Sequence, residues 1–213
     1  AISGINGNET LTYTMVGEPV GQFYGYKVIG MFKEESDFYK KDADGNFQLD
    51  EAGNRIRIAI PKGQQISKNG IWVGDYIYED LHEDGVIDEK DRTFLGNPAP
   101  KFTFGFNNYF AYKGFDLNIF LNGSVGNKAV NLIRRTFTDP MRNSNLLKEA
   151  TDIALIGMHD PEVGDEELSN VYIVNADRAK VQRVTTSSAN DNNRISSRFI
   201  EDASYLRIKN ISL

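Results

Sequence analysis

The stretch Phe102–Leu121 constrains the fold of this chain more than any other. Phe102, Phe104, Phe106, Asn108 and Phe110 alternate with Thr103, Gly105, Asn107 and Tyr109. A short turn at Tyr112-Lys113-Gly114 follows, and then Phe115, Leu117, Ile119 and Leu121 alternate with Asp116, Asn118, Phe120 and Asn122. Successive side chains of a strand point to opposite faces, so a period of two marks a pair of antiparallel strands with one apolar and one largely polar face. Each strand runs about nine to eleven residues, the length of a tilted bilayer crossing, whereas ordinary strands run about five to six. The length predicts a barrel wall. The apolar residues then form a lipid-facing or core-facing stripe, and the small and amide residues of the other face suit a wet lumen.

Around this hairpin the chain alternates short turns with long polar connections. Gln22–Phe32 is dense in aromatic and β-branched residues and reads as a strand kinked at Gly25 and Gly30. Lys33–Asp44 reads as charged surface loop, Asn46–Asp50 and Arg55–Ile60 as a small hairpin about Glu51-Ala52-Gly53-Asn54, and Ile71–Tyr78 as a short aromatic strand. Leu146, Leu147, Ala150, Ile153 and Ala154 fall near one face of a helix over Asn145–Met158. Val171–Val174 reads as a strand and Thr185–Asn193 as an exposed loop. In Phe199–Leu213, Leu206 and Ile208 share one parity and Ile211 and Leu213 the other, which predicts a bulge near Lys209-Asn210. The expected class is all-β, part of a large antiparallel transmembrane barrel with long extracellular loops and little loop helix.

The stretch Gly74–Pro100 carries the most specific chemistry. Asp80, His82, Asp84, Val86, Asp88 and Asp91 stand at positions 1, 3, 5, 7, 9 and 12 of a twelve-residue calcium loop, with Gly85 at position 6 and Ile87 at position 8. A hard cation takes six to eight oxygens at once, so carboxylates must recur every second residue and curl back at the end. Gly85 permits the turn, Val86 offers only its carbonyl, and Ile87 ties the loop to a strand or core. His82 replaces the usual Asp or Asn, and Asp91 the longer Glu. Calcium here would brace the loop. The bland reading is an acidic turn whose carboxylates cap backbone amides.

Composition removes several classes. A net charge of −6 with a pI near 5.0 argues against nucleic acid as a main partner. The absence of cysteine excludes disulfides and zinc-thiolate sites. No apolar run is long enough for a transmembrane helix, which a barrel does not need. His82 and His159 lack an evident nucleophile partner, and no phosphate loop is present, so no enzyme activity and no organic cofactor are expected. Tyr24, Tyr26, Trp72, Tyr76 and Tyr78 could stack on sugar rings, but packing or an interfacial aromatic belt is the simpler expectation. Arg134 and Arg135 read as solvated loop charges. Both ends look cut, so the chain reads as a piece of something longer.

Four segments in order, GEPVGQFYGYKVIGMF (Gly17–Phe32), GDYIYEDLHEDGVIDEKDRTFLGNPAPKFTFGF (Gly74–Phe106), YKGFDLNIFLNGSVG (Tyr112–Gly126) and SSRFIEDASYLRIKNISL (Ser196–Leu213), resemble the SusC/RagA group of TonB-dependent outer-membrane transporters of Bacteroidota. The resemblance spans nearly the whole chain and falls on the C-terminal portion of the barrel. It implies that residues 1–213 are a partial barrel domain holding the 74–100 loop, without the family's plug, TonB box and final strands. It further implies an outer-membrane location, a SusD-like surface lipoprotein as lid, energy from TonB through the missing N-terminal part, and oligosaccharides or peptides as cargo. The other reading is a secreted soluble β-sandwich module that binds calcium and carbohydrate.

Overall fold

The computed structural model describes residues 2–6 and 9–213, with side chains from residue 9 onward. Ala1, Gly7 and Asn8, within the Gly- and polar-rich opening, lie outside the described residues. In chain order the first strands are β1 (Ile2–Asn6), β2 (Glu9–Thr14), β3 (Gln22–Tyr26), β4 (Val28–Met31) and β5 (Ile60–Pro61). Next come β6 (Tyr76–Tyr78), β7 (Val86–Ile87), β8 (Arg92–Gly96), β9 (Phe102–Tyr112) and β10 (Phe115–Val125). The last are β11 (Lys128–Val130), β12 (Ile156–Met158), β13 (Val171–Ile173), β14 (Ile200–Asp202) and β15 (Tyr205–Ser212). One α-helix, α1 (Leu132–Phe137), and a few 3-10 turns complete the described residues, so the all-β class holds. Among the described residues the sheets do not close on themselves.

Two compact units divide the chain. The first comprises Ala1–Gly25, Phe94–Asn131 and Arg198–Leu213. Its main sheets have the strand orders β1-β2-β3-β8 and β15-β10-β9. β9 and β10 are 11 residues each and pair in continuous antiparallel register from Phe115 opposite Tyr112 to Val125 opposite Phe102. The two-residue turn between them has positive φ at both Lys113 (48°) and Gly114 (87°), the backbone that matches the twist of flanking strands.

Register puts Phe110, Phe106 and Phe104 opposite Leu117, Leu121 and Gly123 on one face. β15 joins the same face through an irregularity: Phe120 lies opposite Asn210, but Leu121 lies opposite Ile208, leaving Lys209 as the extra residue. This is the bulge that the change of parity predicts. It brings Leu206, Ile208 and Ile211 onto the face of Gly123, Leu121 and Ile119. Phe102 (56%), Phe115 (68%) and Leu206 (67%) are well exposed there, so nothing among the described residues covers this apolar face.

Gly123 is required by packing. A Cβ on it would stand 2.5 Å from Phe104 Cζ and 2.8 Å from the backbone oxygen of Tyr205. The ring can swing away, but the backbone oxygen belongs to the β15 ladder and cannot. Gly123→Ala is therefore expected to cost about 1–3 kcal/mol as an overpacking change. It should show as faster amide exchange across β10 and β15, while β9 exchange changes less. Equal exchange in mutant and wild type would contradict this packing.

The second unit comprises Tyr26–Thr93 and Leu132–Ser197, two long connections in the chain. Its strands are short, paired as β4-β6, β5-β7 and β12-β13, and its core gathers Phe32, Phe38, Trp72, Tyr76, Tyr78, Ile87 and Val171. Several local expectations change here. Gln22–Phe32 breaks at Lys27 into β3 and β4. The charged segment 33–44 is not free loop, because Phe38 is buried and stacks on Phe32 at 4.0 Å between centroids. The expected small hairpin forms, with Leu49 bridging Arg55 antiparallel and Ile56 N donating to Gln48 O (2.9 Å). A second tight turn precedes it, and in the two turns Asp42 Oδ1 accepts from Asn46 N (2.9 Å) and Asp50 Oδ1 from Asn54 N (2.8 Å). These backbone donors hold both carboxyls below the usual carboxylate range.

No helix forms over 145–158. Lys148–Asp152 is a 3-10 turn and Ile156–Met158 is β12. The backbone donors of this segment go sideways: Ala154 N to Val181 O (2.8 Å) and Leu155 N to Asn175 Oδ1 (2.9 Å). Those partners lie 20 or more residues away in sequence, so the periodicity of apolar residues could not reveal them.

Candidate functional site

Residues 80–91 form a compact turn with its own internal hydrogen bonds. Gly85 sits at φ 80°, where a Cβ would be strained, and donates to Asp80 Oδ2 at 2.9 Å. Val86 N donates to Asp84 Oδ1 (3.1 Å), and Lys90 N to Asp88 Oδ1 (2.8 Å). Asp91 is fully buried and closes the turn. Its Oδ1 accepts from Leu81 N (3.0 Å) and His82 N (3.4 Å), and its Oδ2 accepts from Asp88 N (2.8 Å). Val86 and Ile87 pair in parallel with Ile60 and Pro61, and Ile87 is buried in the core of this unit. The loop is thus tied down by its apolar position 8, as the spacing predicts.

The fit to calcium is divided. The Gly85 turn fits, and Asp80 Oδ1 is buried without a hydrogen-bond partner, an acceptor available to a cation. Against this, both oxygens of Asp91 are occupied by backbone amides, and His82 turns its half-exposed ring so that Nδ1 lies 3.7 Å from Asp91 Oδ1. Among the described residues no three His, Cys, Asp or Glu side chains gather closely enough to hold a metal ion. The backbone turns at Gly85, and the carboxylates, as folded, cap that backbone. Beside the loop lies a groove of about 530 Å³ bordered by Asp80 and Glu83, with Tyr39, Ile58 and Ile77 as its apolar part.

Just before the loop, Gly74-Asp75-Tyr76 is locked by residues far away in sequence. Arg183 Nε and Nη2 donate to Asp75 Oδ1 (3.0 Å) and Oδ2 (3.1 Å), a two-point pairing with Asp75 1% and Arg183 5% exposed. The guanidinium also donates to the backbone oxygens of Lys68 (2.9 Å) and Gly70 (2.8 Å). Asp75 accepts further from Trp72 N (2.9 Å) and Asn192 Nδ2 (2.8 Å), and Asn192 Oδ1 accepts from Tyr76 N (3.0 Å). Asn190 and Asn192 are buried, so the polar segment 185–193 is not an exposed loop. Its amides satisfy the backbone of the aromatic strand. No sequence signal marks Arg183 as the partner of Asp75, 108 residues earlier.

The aromatic residues pack. Trp72, Tyr76 and Tyr78 are buried, and Tyr24 stacks on Tyr13 at 5.0 Å. Tyr26 meets Tyr78 edge-on, and Arg194 lies 4.6 Å and 4.7 Å from the two ring centroids. Burial pushes the Tyr26 hydroxyl above its ordinary value, and the Arg194 charge opposes that shift. Arg134 and Arg135 are not merely solvated charges. Arg134 pairs with Glu149 (Nε to Oε2, 2.8 Å), and Arg135 Nε donates to Asn193 O (2.7 Å). No helix among the described residues is long and apolar enough to cross a membrane.

No protein-family model matches the chain. Curated proteins of Formosa agariphila do match it. TonB-dependent receptor P3 is 29% identical over 196 residues, 92% of this chain and 15% of the receptor. TonB-dependent receptor P26 is 29% identical over 203 residues, 95% of this chain and 16% of the receptor. TonB-dependent receptor P39 is 25% identical over 92% of this chain and 18% of the receptor. The chain spans less than a fifth of the length of these relatives.

Proposed function

From its homology to TonB-dependent receptors over nearly its whole length, we propose that this chain forms part of the wall and connections of an outer-membrane importer. The observation that carries this reading is the β9-β10-β15 sheet. Its strands of up to 11 residues expose a continuous apolar face that water would not tolerate, with amides and hydroxyls on the other side. A soluble sandwich would need a second sheet packed on that face, and none lies over it among the described residues. In the importer reading the apolar face meets lipid, and the polar face carrying Asn107, Asn118 and Asn122 meets the lumen.

The finer reading is SusC-like. A SusD-like lipoprotein covers the connections, TonB supplies energy through a part of the polypeptide outside these residues, and the cargo is an oligosaccharide or a peptide. Support comes from the four sequence segments and from the two long connections, which fold as a compact unit with its own core. The experiment is fractionation of cells expressing the whole polypeptide together with a tagged SusD-like lipoprotein from the same organism, followed by co-purification. Recovery in the urea-washed outer membrane with the lipoprotein bound is expected; a water-soluble polypeptide would refute the importer.

For residues 80–91 we propose calcium as a structural brace, supported by the Gly85 turn and the unpartnered Asp80 Oδ1. The ion must compete with the backbone amides that hold Asp91, so binding is expected to be weak, with Kd of about 10⁻⁴–10⁻³ M. Calorimetry should give a calcium heat that Asp84→Ala abolishes. Equal, negligible heats from both proteins would remove the site.

A further inference from the structure

Within the 26–93/132–197 unit, β12 presents an open strand edge. It pairs with β13 in antiparallel register, Ile156 opposite Ile173 and Met158 opposite Val171. Along such a ladder, hydrogen-bonded and non-hydrogen-bonded pairs alternate. Val174 N donates to Leu155 O (2.9 Å) and His159 N to Asn170 O (2.9 Å), so Gly157 and Tyr172 form the hydrogen-bonded pair between them. The N–H and C=O groups of Ile156 and Met158 therefore point away from β13. The far side of β13 is closed, since Ile173 N donates to Lys33 O (2.8 Å). Among the described residues nothing takes up the outward backbone groups of β12.

A bare edge is a template for another strand, and proteins ordinarily guard one with a charge, a proline or a bulge. Leu155-Ile156-Gly157-Met158 has none of these. Leu155 and Val174, neighbours on one face of the ladder, are each more than half exposed, and Ile156 and Met158 are exposed on the other. Charge at the end of the strand selects the occupant. Asp160 and Glu162 follow β12 on the surface, and among the described residues no basic side chain pairs with either, whereas Lys68 takes up Asp165 and Glu166. A second copy of this chain fits poorly. Two β12 edges laid antiparallel about Ile156 or Gly157 set Asp152 against Asp160 or Glu162, twice over, and like charges placed opposite repel. We propose that β12 accepts an added strand from a second protein: an extended segment with apolar residues at alternate positions and a lysine or arginine beside Asp160 and Glu162. Only Ile156 and Met158 offer backbone groups, so the docking is weak and reversible. The proposal goes beyond the import reading and does not depend on it.

The test is residue-resolved hydrogen exchange of the whole polypeptide in detergent. The probe is the peptide acetyl-Lys-Thr-Val-Thr-Val-Thr-Lys-amide, which brings a lysine to Asp160 in either strand direction; the control carries glutamates in place of the lysines. Without peptide, the Ile156 and Met158 amides are expected to exchange fast and those of Gly157 and His159 slowly. Saturating lysine peptide should slow Ile156 and Met158 about tenfold or more, and the glutamate peptide should not. Met158→Pro removes an outward donor without breaking a bond within the fold, and should abolish the effect. Asp160→Asn with Glu162→Gln serves if that variant fails to fold, because asparagine keeps the acceptor that Glu162 N uses (2.9 Å). This pair should weaken the lysine peptide about threefold or more. Ile156 and Met158 amides already protected in the polypeptide alone would mean that another part of the same chain or a second copy covers the edge, and would overturn the proposal. Slowing by neither peptide, equal slowing by both, or an unchanged response in the variants would overturn it as well.

Discussion

Asp75→Ala is expected to destabilise the 26–93/132–197 unit by about 3–5 kcal/mol, because it leaves the buried Arg183 guanidinium without its counter-charge. The loss reaches past the ion pair. Asp75 also accepts from Trp72 N and Asn192 Nδ2, so both donors lose their acceptor in the same step. Hydrogen exchange of the whole polypeptide reads the effect locally. Amides of Phe32 and Arg183, which donate to the Asp75 and Gly74 carbonyls, should exchange roughly two to four orders of magnitude faster. The double replacement Asp75→Leu with Arg183→Met should recover much of the loss, since well-packed apolar groups often replace a buried pair at little cost. An effect below about 1 kcal/mol, the range of a surface ion pair, would contradict the buried geometry.

The second large effect lies in the long sheet. Leu121 stands opposite Phe106 and Ile208 on the apolar face, near the middle of β10. In a lipid-facing wall, Leu121→Arg should cost about 2–4 kcal/mol at the bilayer midplane and less toward the interfaces. Its neighbour Asn122 points to the other face, where Asn122→Arg should cost well under half as much. Folded, heat-modifiable protein in the outer membrane reports the difference. Equal tolerance of the two substitutions would mean that the faces are not distinct environments.

These two predictions differ in how far the sequence announces them. The face of Leu121 is legible because strand alternation is local: every second residue repeats the same environment, and the change of parity in β15 predicts the bulge at Lys209. The turn at Gly85 and the burial of Ile87 are legible for the same reason, being set within twelve residues. The Asp75–Arg183 pair is not, since its partners lie far apart in the chain and no periodicity links them. The failed helix over 145–158 shows the converse. Its apolar spacing satisfies a helical pattern, yet the backbone donors find Asn175 Oδ1 and Val181 O instead. Buried asparagines 190 and 192 mislead too, because a polar, Ser/Asn-rich composition describes an exposed loop unless its amides are needed by neighbouring backbone.

In an importer wall β10 faces lipid on one side and water on the other. The chain contains no cysteine, so single cysteines introduced from Phe115 to Gly123 can be spin-labelled one at a time in the reconstituted whole polypeptide. Collisional relaxation by oxygen, which concentrates in lipid, is compared at each position with that by a water-soluble nickel complex. A period of two is expected: oxygen dominates at Phe115, Leu117, Ile119 and Leu121, and nickel at Asp116, Asn118, Phe120 and Asn122. High nickel accessibility at every position, without alternation, would contradict it.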